Sequence, residues 1–105
     1  MSIEINNEQG VWHTRIEGEL TIYTTGEYRE ALLEKCDTQL GMELELVDVT
    51  EMDTSGLQLI LALKKQLEER GQALSFNTVS KAVLDIFEML HLTETLGVKV
   101  EGEAG

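Results

Sequence analysis

The sequence lacks proline altogether and contains a single cysteine, Cys36. One thiol cannot form an internal disulfide, and the lack of disulfides is typical of proteins kept in a reducing cytoplasm. The longest apolar run, Leu59 to Leu63, is far shorter than the ~20 residues that a membrane helix requires. No basic segment followed by an apolar one opens the sequence, so no secretory leader is predicted. We therefore expect a cytoplasmic protein without membrane insertion.

Basic residues are also scarce, because eight Lys and Arg face twenty Asp and Glu and give a formal net charge of −12. Nucleic-acid binding requires clustered Lys and Arg that neutralise phosphates, whereas the longest basic run here is Lys64-Lys65. The charge therefore argues against a nucleic-acid partner. It fits a protein partner that carries a basic patch, and it fits solubility alone equally well.

The chain's 105 residues are the size of one domain, and 42% hydrophobic residues are enough for a packed core.

The chain begins with two segments that predict an antiparallel hairpin. Apolar residues recur at period two in Ser2–Asn6 and in Val11–Ile16, with turn residues between them at 6–10. His13 lies on the outward face of the second segment. Because no further ligand is spaced to share a metal with it, we expect it to face solvent.

Strand and helix patterns alternate after the hairpin. The predicted elements are a helix beginning near Thr24, a strand at Leu44–Val49, a helix from Ser55 to Gly71, a strand at Ala73–Val79, a helix capped by Ser80, a short turn at Leu92–Leu96 and a last strand at Val98–Val100. Gly41 is placed in a loop, and the polar tail at 101–105 is expected to fray. The order β-β-α-β-α-β-α-(β) predicts an α/β fold with a mixed sheet and three to four helices.

The helix and strand patterns also predict which side chains face the core. Thr24 and Glu27 have the spacing of a capping box at the start of the first helix. Apolar positions at helical spacing predict these inward side chains: Tyr28, Ala31, Leu32 and Cys36 in the first helix, and Ala82, Val83, Ile86, Phe87 and Leu90 in the third. The alternation in Ala73–Val79 predicts one sheet face without a thick helical cover.

The segment from Thr50 to Gly56 lies between the central strand and its helix. Asp53, Thr54 and Ser55 have side-chain oxygens that accept from the free amides of a first helical turn, so the helix boundary is predicted here. A hydroxyl at this helix N-terminus could also carry a phosphate, which the backbone donors and the helix dipole would stabilise. Capping alone is the simpler interpretation of these residues by themselves.

The sequence gives little support for catalysis. Gly56 stands alone, without the spacing of a Gly-rich phosphate loop, and only His13 and His91 could serve as a base for Ser55. Carboxylates are abundant, but chance pairs are expected in so acidic a chain. A receiver-type phosphoacceptor domain is disfavoured, since Asn6–Glu8 lies in a predicted turn and does not supply the required acidic pair. We predict no enzyme, no bound metal and no cofactor.

The run from Asp48 to Leu57, DVTEMDTSGL, resembles the signature of the STAS domain family, which is named for sulphate transporters and anti-sigma factor antagonists. Gly18-Glu19-Leu20 ahead of the first helix, Gly71 before the next strand and Ser80 at the third helix fall where the family places them. The resemblance therefore covers nearly the whole chain. It implies a single STAS-like domain over residues 1–105.

The resemblance implies a non-catalytic module of bacterial partner switching. In the antagonist branch, a partner kinase that is also the anti-sigma factor phosphorylates the hydroxyl just before the motif glycine. That residue is Ser55 here, with Thr54 as the fallback, and Asp53 would organise the turn. The implied partner-binding residues are Thr21, Met52, Asp53, Thr54, Ser55, Gly56, Leu57 and Gln58.

The sequence departs from the antagonist pattern at Thr21, where many antagonists carry an aspartate after Gly-Glu-Leu. The run Thr21–Thr24 and Gln58 look more like STAS proteins associated with bacterial chemotaxis systems. Two alternatives therefore stay open. One is a chemotaxis-associated regulator without a phosphorylation cycle, and the other is a constitutive accessory subunit on the ATPase of a lipid transporter. The oligomeric state is not predicted.

Overall fold

The computed structural model describes residues 2–98, which form a five-stranded sheet with four helices. The strands are β1 Ser2–Glu8, β2 Val11–Leu20, β3 Gly41–Leu46, β4 Val49–Met52 and β5 Leu74–Val79, and the helices are α1 Thr25–Lys35, α2 Thr54–Glu69, α3 Lys81–Met89 and α4 Thr93–Leu96. The sheet order is β1-β2-β3-β5, and β4 also pairs with β2. Only β1 and β2 are antiparallel. The predicted α/β class with a mixed sheet is confirmed.

One cluster of buried side chains joins the helices to the sheet. Phe87 of α3 packs edge-on against Phe76 of β5, with the ring centroids 5.8 Å apart. Cys36 lies at the end of α1 in this cluster, as predicted for a small core residue. Burial, with a smaller effect of the neighbouring Asp37 charge, raises the pKa of the Cys36 thiol to about 11. The thiol is therefore protonated at neutral pH.

The hairpin between β1 and β2 is confirmed, but its turn is shorter than the predicted 6–10. Pairing continues to the end of both strands. Only Gln9 and Gly10 form the turn, and both have positive φ values, 54° and 79°, as a two-residue hairpin turn requires. The polar residues at 6–8 belong to β1 because pairing with β2 outweighs their local turn preference.

The predicted strand Leu44–Val49 is wrong in its bounds, because the structure divides this part of the chain into β3 and β4. β2 is long enough to pair with both, the first half with β3 and the final residues with β4. Thr50–Met52, which the sequence pattern placed in a turn, therefore belongs to β4. Asp53 alone separates this strand from α2.

The break between β3 and β4 is held by contacts with β2. Val47 and Asp48 form the turn. The carboxylate of Asp48 accepts hydrogen bonds from the Arg15 guanidinium, and its backbone carbonyl accepts from the N–H of Gly18 at 3.1 Å. These partners are distant in sequence, so no local pattern in the segment indicates the break.

β3 begins at Gly41, which the sequence pattern placed in a loop. The chain passes close to the start of β5 here. A Cβ at Gly41 would lie 2.9 Å from the carbonyl oxygen of Ala73, and the N–H of Met42 donates to the same oxygen at 3.1 Å. Gly41 is thus a position of close backbone approach within the sheet.

Several helix ends follow their local sequence signals. Gly71, with φ 73°, follows α2, and Gly97, with φ 70°, follows α4. At the start of α3, the Ser80 hydroxyl accepts a hydrogen bond from the N–H of Val83 at 3.3 Å. These observations confirm the predicted end of α2 and the predicted cap of α3. The short turn predicted at Leu92–Leu96 is the four-residue helix α4 in the structure.

The predicted capping box of α1 is wrong. Thr24 is the N-cap residue, but its side chain makes no capping hydrogen bond. Its hydroxyl instead accepts from the N–H of Thr21 at 2.9 Å and donates to the carbonyl of Glu19 at 2.9 Å. The Thr24 side chain is therefore used to close the loop before α1 and is not available to the helix.

Two predicted inward positions are wrong. Ala31 is exposed, and Leu33 of α1 packs against the buried core cluster in its place. Leu90 is 43% exposed because it ends α3, and His91 after it has a left-handed φ of 56° that turns the chain away. The other predicted inward side chains are buried or half-buried: Tyr28, Leu32, Cys36, Ala82, Val83, Ile86 and Phe87.

One face of the sheet is polar and open, as the alternation in β5 predicted. It carries a shallow cavity of about 250 Å³ lined mainly by charged residues of β1, β2 and β3. His13 lies on this face, and its Nδ1 is 2.9 Å from Oε1 of Glu43. The predicted outward orientation of His13 is confirmed.

The predicted last strand Val98–Val100 and the tail at 101–105 lie outside the described residues, apart from Val98, which is buried in the core. Within residues 2–98, no helix has the length and apolar character needed to cross a lipid bilayer. Over the same part of the chain, no three or more His, Cys, Asp or Glu side chains gather into a group that could hold a metal ion.

Candidate functional site

Asp53 joins the start of α2 to the loop that follows β2. Its Oδ1 accepts hydrogen bonds from the N–H groups of Ser55 at 2.8 Å and Gly56 at 3.3 Å. Its Oδ2 accepts from the N–H of Ile22 at 2.9 Å, and its own N–H donates to the carbonyl of Leu20 at 3.4 Å. One carboxylate therefore caps the helix and holds a neighbouring loop at the same time.

The pKa of Asp53 is lowered. Partial burial acts to raise it, but the hydrogen bonds from the backbone N–H groups of Ile22, Gly56 and Ser55 stabilise the charged form and outweigh burial. Asp53 is therefore ionised at neutral pH. It places a fixed negative charge beside the two hydroxyl residues of the motif.

Thr54 and Ser55 occupy the first turn of α2. Thr54 is exposed and Ser55 is half-buried. Within residues 2–98, neither hydroxyl takes part in a hydrogen bond. Both lie at the positive end of a 16-residue helix, where negative charge is favoured. The hydroxyls are thus free to react with, or bind to, a group from another molecule.

Within residues 2–98, no side chain is placed to act as a base for the Ser55 hydroxyl. His13 lies on the open sheet face beside Glu43, and His91 is an exposed residue that closes the end of α3. The carboxylate of Asp53 is already occupied by backbone donors. No nucleophile–base pair of the kind used in covalent catalysis is formed at Ser55 by the described residues.

Gly56 is required by close packing. A Cβ at this position would lie 2.4 Å from the carbonyl oxygen of Leu20 and 2.8 Å from Cγ of Met52. The first turn of α2 therefore rests directly on the end of β2, and a glycine is needed to permit that approach. The sequence analysis treated Gly56 as the motif glycine and as a partner-binding residue, and it missed this packing role.

The loop before α1 is closed by its own threonines. The carbonyl of Thr21 accepts from the N–H groups of Thr24 at 3.0 Å and Thr25 at 2.9 Å, and its hydroxyl accepts from the N–H of Tyr23 at 3.3 Å. Thr21 is only 6% exposed. The position that carries an aspartate in many antagonists is thus filled here by a buried side chain engaged within its own loop.

This loop projects two large side chains into solvent. Ile22 is 66% exposed and Tyr23 is 88% exposed. We call them the Ile22–Tyr23 pair. Because the Ile22 N–H is bonded to Asp53, the pair lies beside the start of α2. The sequence analysis used the run Thr21–Thr24 only as a resemblance to chemotaxis-associated STAS proteins. It did not predict Ile22 and Tyr23 as part of a binding surface, although two bulky residues between threonines were a visible signal.

The structure brings the eight predicted partner-binding residues together at one end of the sheet, with different exposures. Thr54 and Gln58 are exposed, and Asp53 and Ser55 are half-buried. The remaining four are buried: Thr21, Met52, Gly56 and Leu57. The buried residues can support this surface, whereas the exposed side chains at the start of α2 and in the Ile22–Tyr23 pair form it.

Known proteins share this arrangement of elements. The family model described as Mlab, STAS domain, matches residues 5–100. The chain belongs to the STAS domain family. This STAS domain is 31% identical over 107 aligned positions to the anti-sigma-B factor antagonist of Listeria monocytogenes, and the match covers 98% of the chain and 93% of that protein. It is therefore an anti-sigma factor antagonist-like STAS domain.

Solved structures show the same fold. An anti-sigma-factor antagonist (STAS) domain protein from Planctomyces limnophilus has a TM-score of 0.80 at 15% identity, covering 89% of this chain and 85% of the other. The phosphorylated form of the Bacillus cell fate determinant SpoIIAA has a TM-score of 0.68 at 18% identity, covering 98% of this chain and 96% of the other. At these identities the likeness concerns the fold of the STAS domain alone.

Proposed function

We propose that this STAS domain is a non-catalytic protein-interaction module of bacterial partner switching, controlled by phosphorylation of Ser55. The observation that carries the proposal is the unbonded Ser55 hydroxyl at the start of α2, beside the exposed Ile22–Tyr23 pair. The 31% identity with an anti-sigma-B factor antagonist supports it. The proposed partner is an anti-sigma factor that is also an ATP-binding serine kinase.

The Ile22–Tyr23 pair gives the unmodified protein its affinity in this proposal. Complete burial of one large apolar side chain is worth roughly 1.5–3 kcal/mol. Aromatic residues are enriched among the residues that dominate binding energies at interfaces. Thr54 and Gln58 add exposed polar groups from α2. A partner that covers this end of the sheet would therefore also cover Ser55.

Phosphorylation would oppose that contact through charge. The γ-phosphorus of ATP forms a bond to Oγ of Ser55 while its bond to the bridging oxygen of ADP breaks. A base on the kinase takes the hydroxyl proton, because the described part of this chain, residues 2–98, offers none at Ser55. The product carries roughly −1.5 to −2 additional charges beside the ionised Asp53. A loss of about 3 kcal/mol in a desolvated interface lowers affinity by more than a hundredfold.

The phosphorylation step is tested with the purified anti-sigma factor kinase of the source bacterium. We expect incubation with ATP and Mg²⁺ to place one phosphate on Ser55, mapped by mass spectrometry, and Ser55→Ala to abolish it. Thr78→Ala, at an exposed residue of β5, is the matched control and should leave labelling unchanged. Absence of phosphate on both Ser55 and Thr54, with a kinase that is active on another substrate, would reject the switch.

The charge effect is tested by binding to the same kinase. Calorimetric titration should give a much lower affinity for Ser55→Asp than for Ser55→Ala, which should bind like the unmodified protein. Thr78→Asp adds the same charge away from the site and should bind normally. Equal affinities for Ser55→Asp and Ser55→Ala would contradict regulation by charge.

A constitutive docking subunit is the second candidate, and Thr21 favours it. The side chain at this position is neutral, buried and engaged with its own loop, so it offers no carboxylate to a kinase site. In this candidate, the same surface binds an ATPase of a lipid transporter or a chemotaxis protein without a phosphate cycle. Co-purification of a stable complex that ATP leaves unmodified and intact would favour this candidate over the switch.

A further inference from the structure

The two oxygens of Asp53 bind two different elements. Oδ1 accepts from the first turn of α2 through the Ser55 N–H at 2.8 Å. Oδ2 accepts from the Ile22 N–H at 2.9 Å. The residue that would be modified and the exposed apolar pair are therefore bonded to opposite sides of the same carboxylate, although 33 positions separate Ser55 from Ile22 in the chain.

We propose that Asp53 is a positioning residue that couples Ser55 to the Ile22–Tyr23 pair, and that a phosphate on Ser55 releases the pair from its fixed position. The inference rests on the proposed function, because it concerns the same switch. It adds a mechanism: the modification changes how the binding surface is presented, in addition to its charge.

Covalent geometry brings the phosphate close to Asp53. Oγ of Ser55 is joined by only two intervening atoms to the nitrogen whose N–H is bonded to Oδ1. A phosphate there meets a like charge, and it also competes with Asp53 for the N–H groups of Ser55 and Gly56 at the helix start. Asp53 relieves the repulsion either by turning away or by taking up a proton. Turning away removes the acceptor from the Ile22 N–H, and protonation weakens it because the carboxyl group loses its charge.

The loop has few other means of holding the pair in place. Its threonines form hydrogen bonds within the loop and with Glu19. These bonds close the loop but do not attach it to α2. Glu19 at the end of β2 and Glu51 in β4 are the other carboxylates near this junction, and both are exposed. Loss of the Asp53 contact should let the Ile22–Tyr23 pair move. A partner would then have to order the pair on binding, which costs affinity.

The hydrogen bond itself is tested by NMR in the isolated protein. The Ile22 amide proton shift should titrate with the Asp53 carboxylate, with an inflection below the ordinary aspartate value of about 3.9. Asp53→Asn should abolish the inflection, and Glu51→Gln, which removes a neighbouring carboxylate, should retain it. The Leu63 amide in the core of α2 reports on global folding at each pH. An Ile22 inflection that persists in Asp53→Asn overturns the proposal.

The coupling is tested with protein that carries a phosphate on Ser55, compared with unmodified protein at pH 7. We expect hydrogen exchange at the Ile22 amide to accelerate at least tenfold, with exchange at Leu63 unchanged. Protein carrying a phosphate on Thr78 is the control and should behave as unmodified. If phosphate on Ser55 leaves Ile22 exchange unaltered, the coupling is refuted.

These outcomes are separable from the proposed function. No partner is present, so an unaltered Ile22 amide refutes the coupling while the binding assay still decides on the switch. Conversely, a released Ile22 amide together with unaltered kinase binding confirms the coupling and refutes the proposed function. Asp53→Ala should reproduce the fast Ile22 exchange without any phosphate, because it removes the acceptor of the Ile22 N–H directly.

Discussion

The buried hydroxyl of Thr14 lowers the stability of the folded protein. Thr14 is only 1% exposed, and its Oγ1 has no hydrogen-bond partner among residues 2–98. It lies on β2 between the buried or half-buried neighbours Ile5 and Leu44 on adjacent strands. A buried polar group without a partner loses its hydration and gains nothing in return.

We expect Thr14→Val to raise the free energy of unfolding by about 1 kcal/mol, because valine keeps the shape and removes the unbonded hydroxyl. Urea denaturation followed by circular dichroism measures the change. Thr78→Val, at an exposed site, should alter the free energy by less than about 0.5 kcal/mol. A clear loss of stability in Thr14→Val would mean that the hydroxyl has a partner in solution.

Asp53 gives the protein a defined pH dependence. Its pKa is lower in the folded state than in the unfolded chain, so its contribution to stability is complete above the unfolded value of about 3.9 and is lost as pH falls through the folded value. Asp53→Ala should cost about 1 kcal/mol at pH 7, as expected for an N-cap. The difference from the unmodified protein should shrink below about pH 4.

The measurement is urea denaturation of both proteins from pH 7 to pH 3. Glu51→Ala is the matched control, since it removes an exposed carboxylate from the adjacent strand, and its difference from the unmodified protein should stay small at every pH. A cost of Asp53→Ala that is constant down to pH 3 would show that the carboxylate contributes by shape and not by charge.

At the scale of the element, the packing of α2 on β2 depends on Gly56. Alanine is the better helix former, so Gly→Ala in a helix with free space gains roughly 0.5–1 kcal/mol. Here the new Cβ would lie 2.4 Å from the Leu20 carbonyl oxygen. We expect Gly56→Ala to lose about 1–3 kcal/mol because α2 must shift outward.

Gly26 in α1 provides the matched control for this prediction. A Cβ at Gly26 meets nothing within 4 Å, so Gly26→Ala should stabilise the protein where Gly56→Ala destabilises it. Thermal or urea unfolding of the two variants gives the sign directly. A gain of stability in both would show that the first turn of α2 is not packed against the end of β2 in solution.

Local signals predicted most helix ends, and contacts distant in sequence account for most of the errors. The Ser80 cap and the glycines at 71 and 97 act within a few residues, so the sequence pattern found them. The division of β3 from β4 depends on Arg15, which contacts Asp48 from another strand. Thr24 had the spacing of a cap, but its hydroxyl bonds to the backbone of Thr21 and Glu19 in the loop before α1.

The candidate site was predicted only in part, again because local signals are visible in the sequence and contacts distant in sequence are not. The motif placed Asp53, Thr54 and Ser55 at the start of a helix, because capping preferences are local. It did not indicate the Ile22 contact of Asp53, which joins residues far apart in the chain. Nor could it separate the exposed from the buried members of the predicted surface, since exposure depends on how α2 lies against β2.

At the scale of the whole molecule, the acidic charge should make folding sensitive to salt. A formal net charge of −12 on 105 residues opposes the compact state through self-repulsion. Sodium chloride screens this repulsion, since the Debye length falls from about 30 Å at 0.01 M to about 3 Å at 1 M. We expect the Tm to rise with sodium chloride concentration, by roughly 4–8 °C for each kcal/mol gained.

Differential scanning calorimetry at a series of sodium chloride concentrations measures this effect. Chloride is preferred to sulfate, because sulfate stabilises proteins by exclusion from their surface whatever their charge. Repeating the series at pH 4.5, near the sequence pI of 4.4, provides the control and should flatten the response. An equal salt response at both pH values would indicate that self-repulsion is not its cause.

The buried Cys36 thiol at the end of α1 is an intrinsic probe of local opening. Reagents that modify cysteine need an accessible thiolate, and Cys36 is fully buried with its pKa raised to about 11. Labelling therefore requires an opening of the structure that exposes the end of α1. Because the sequence contains no second cysteine, every labelled molecule records one such opening. The rate of Cys36 labelling can therefore be measured without any introduced probe, and a partner, a phosphate or salt that stabilises the folded state lowers it.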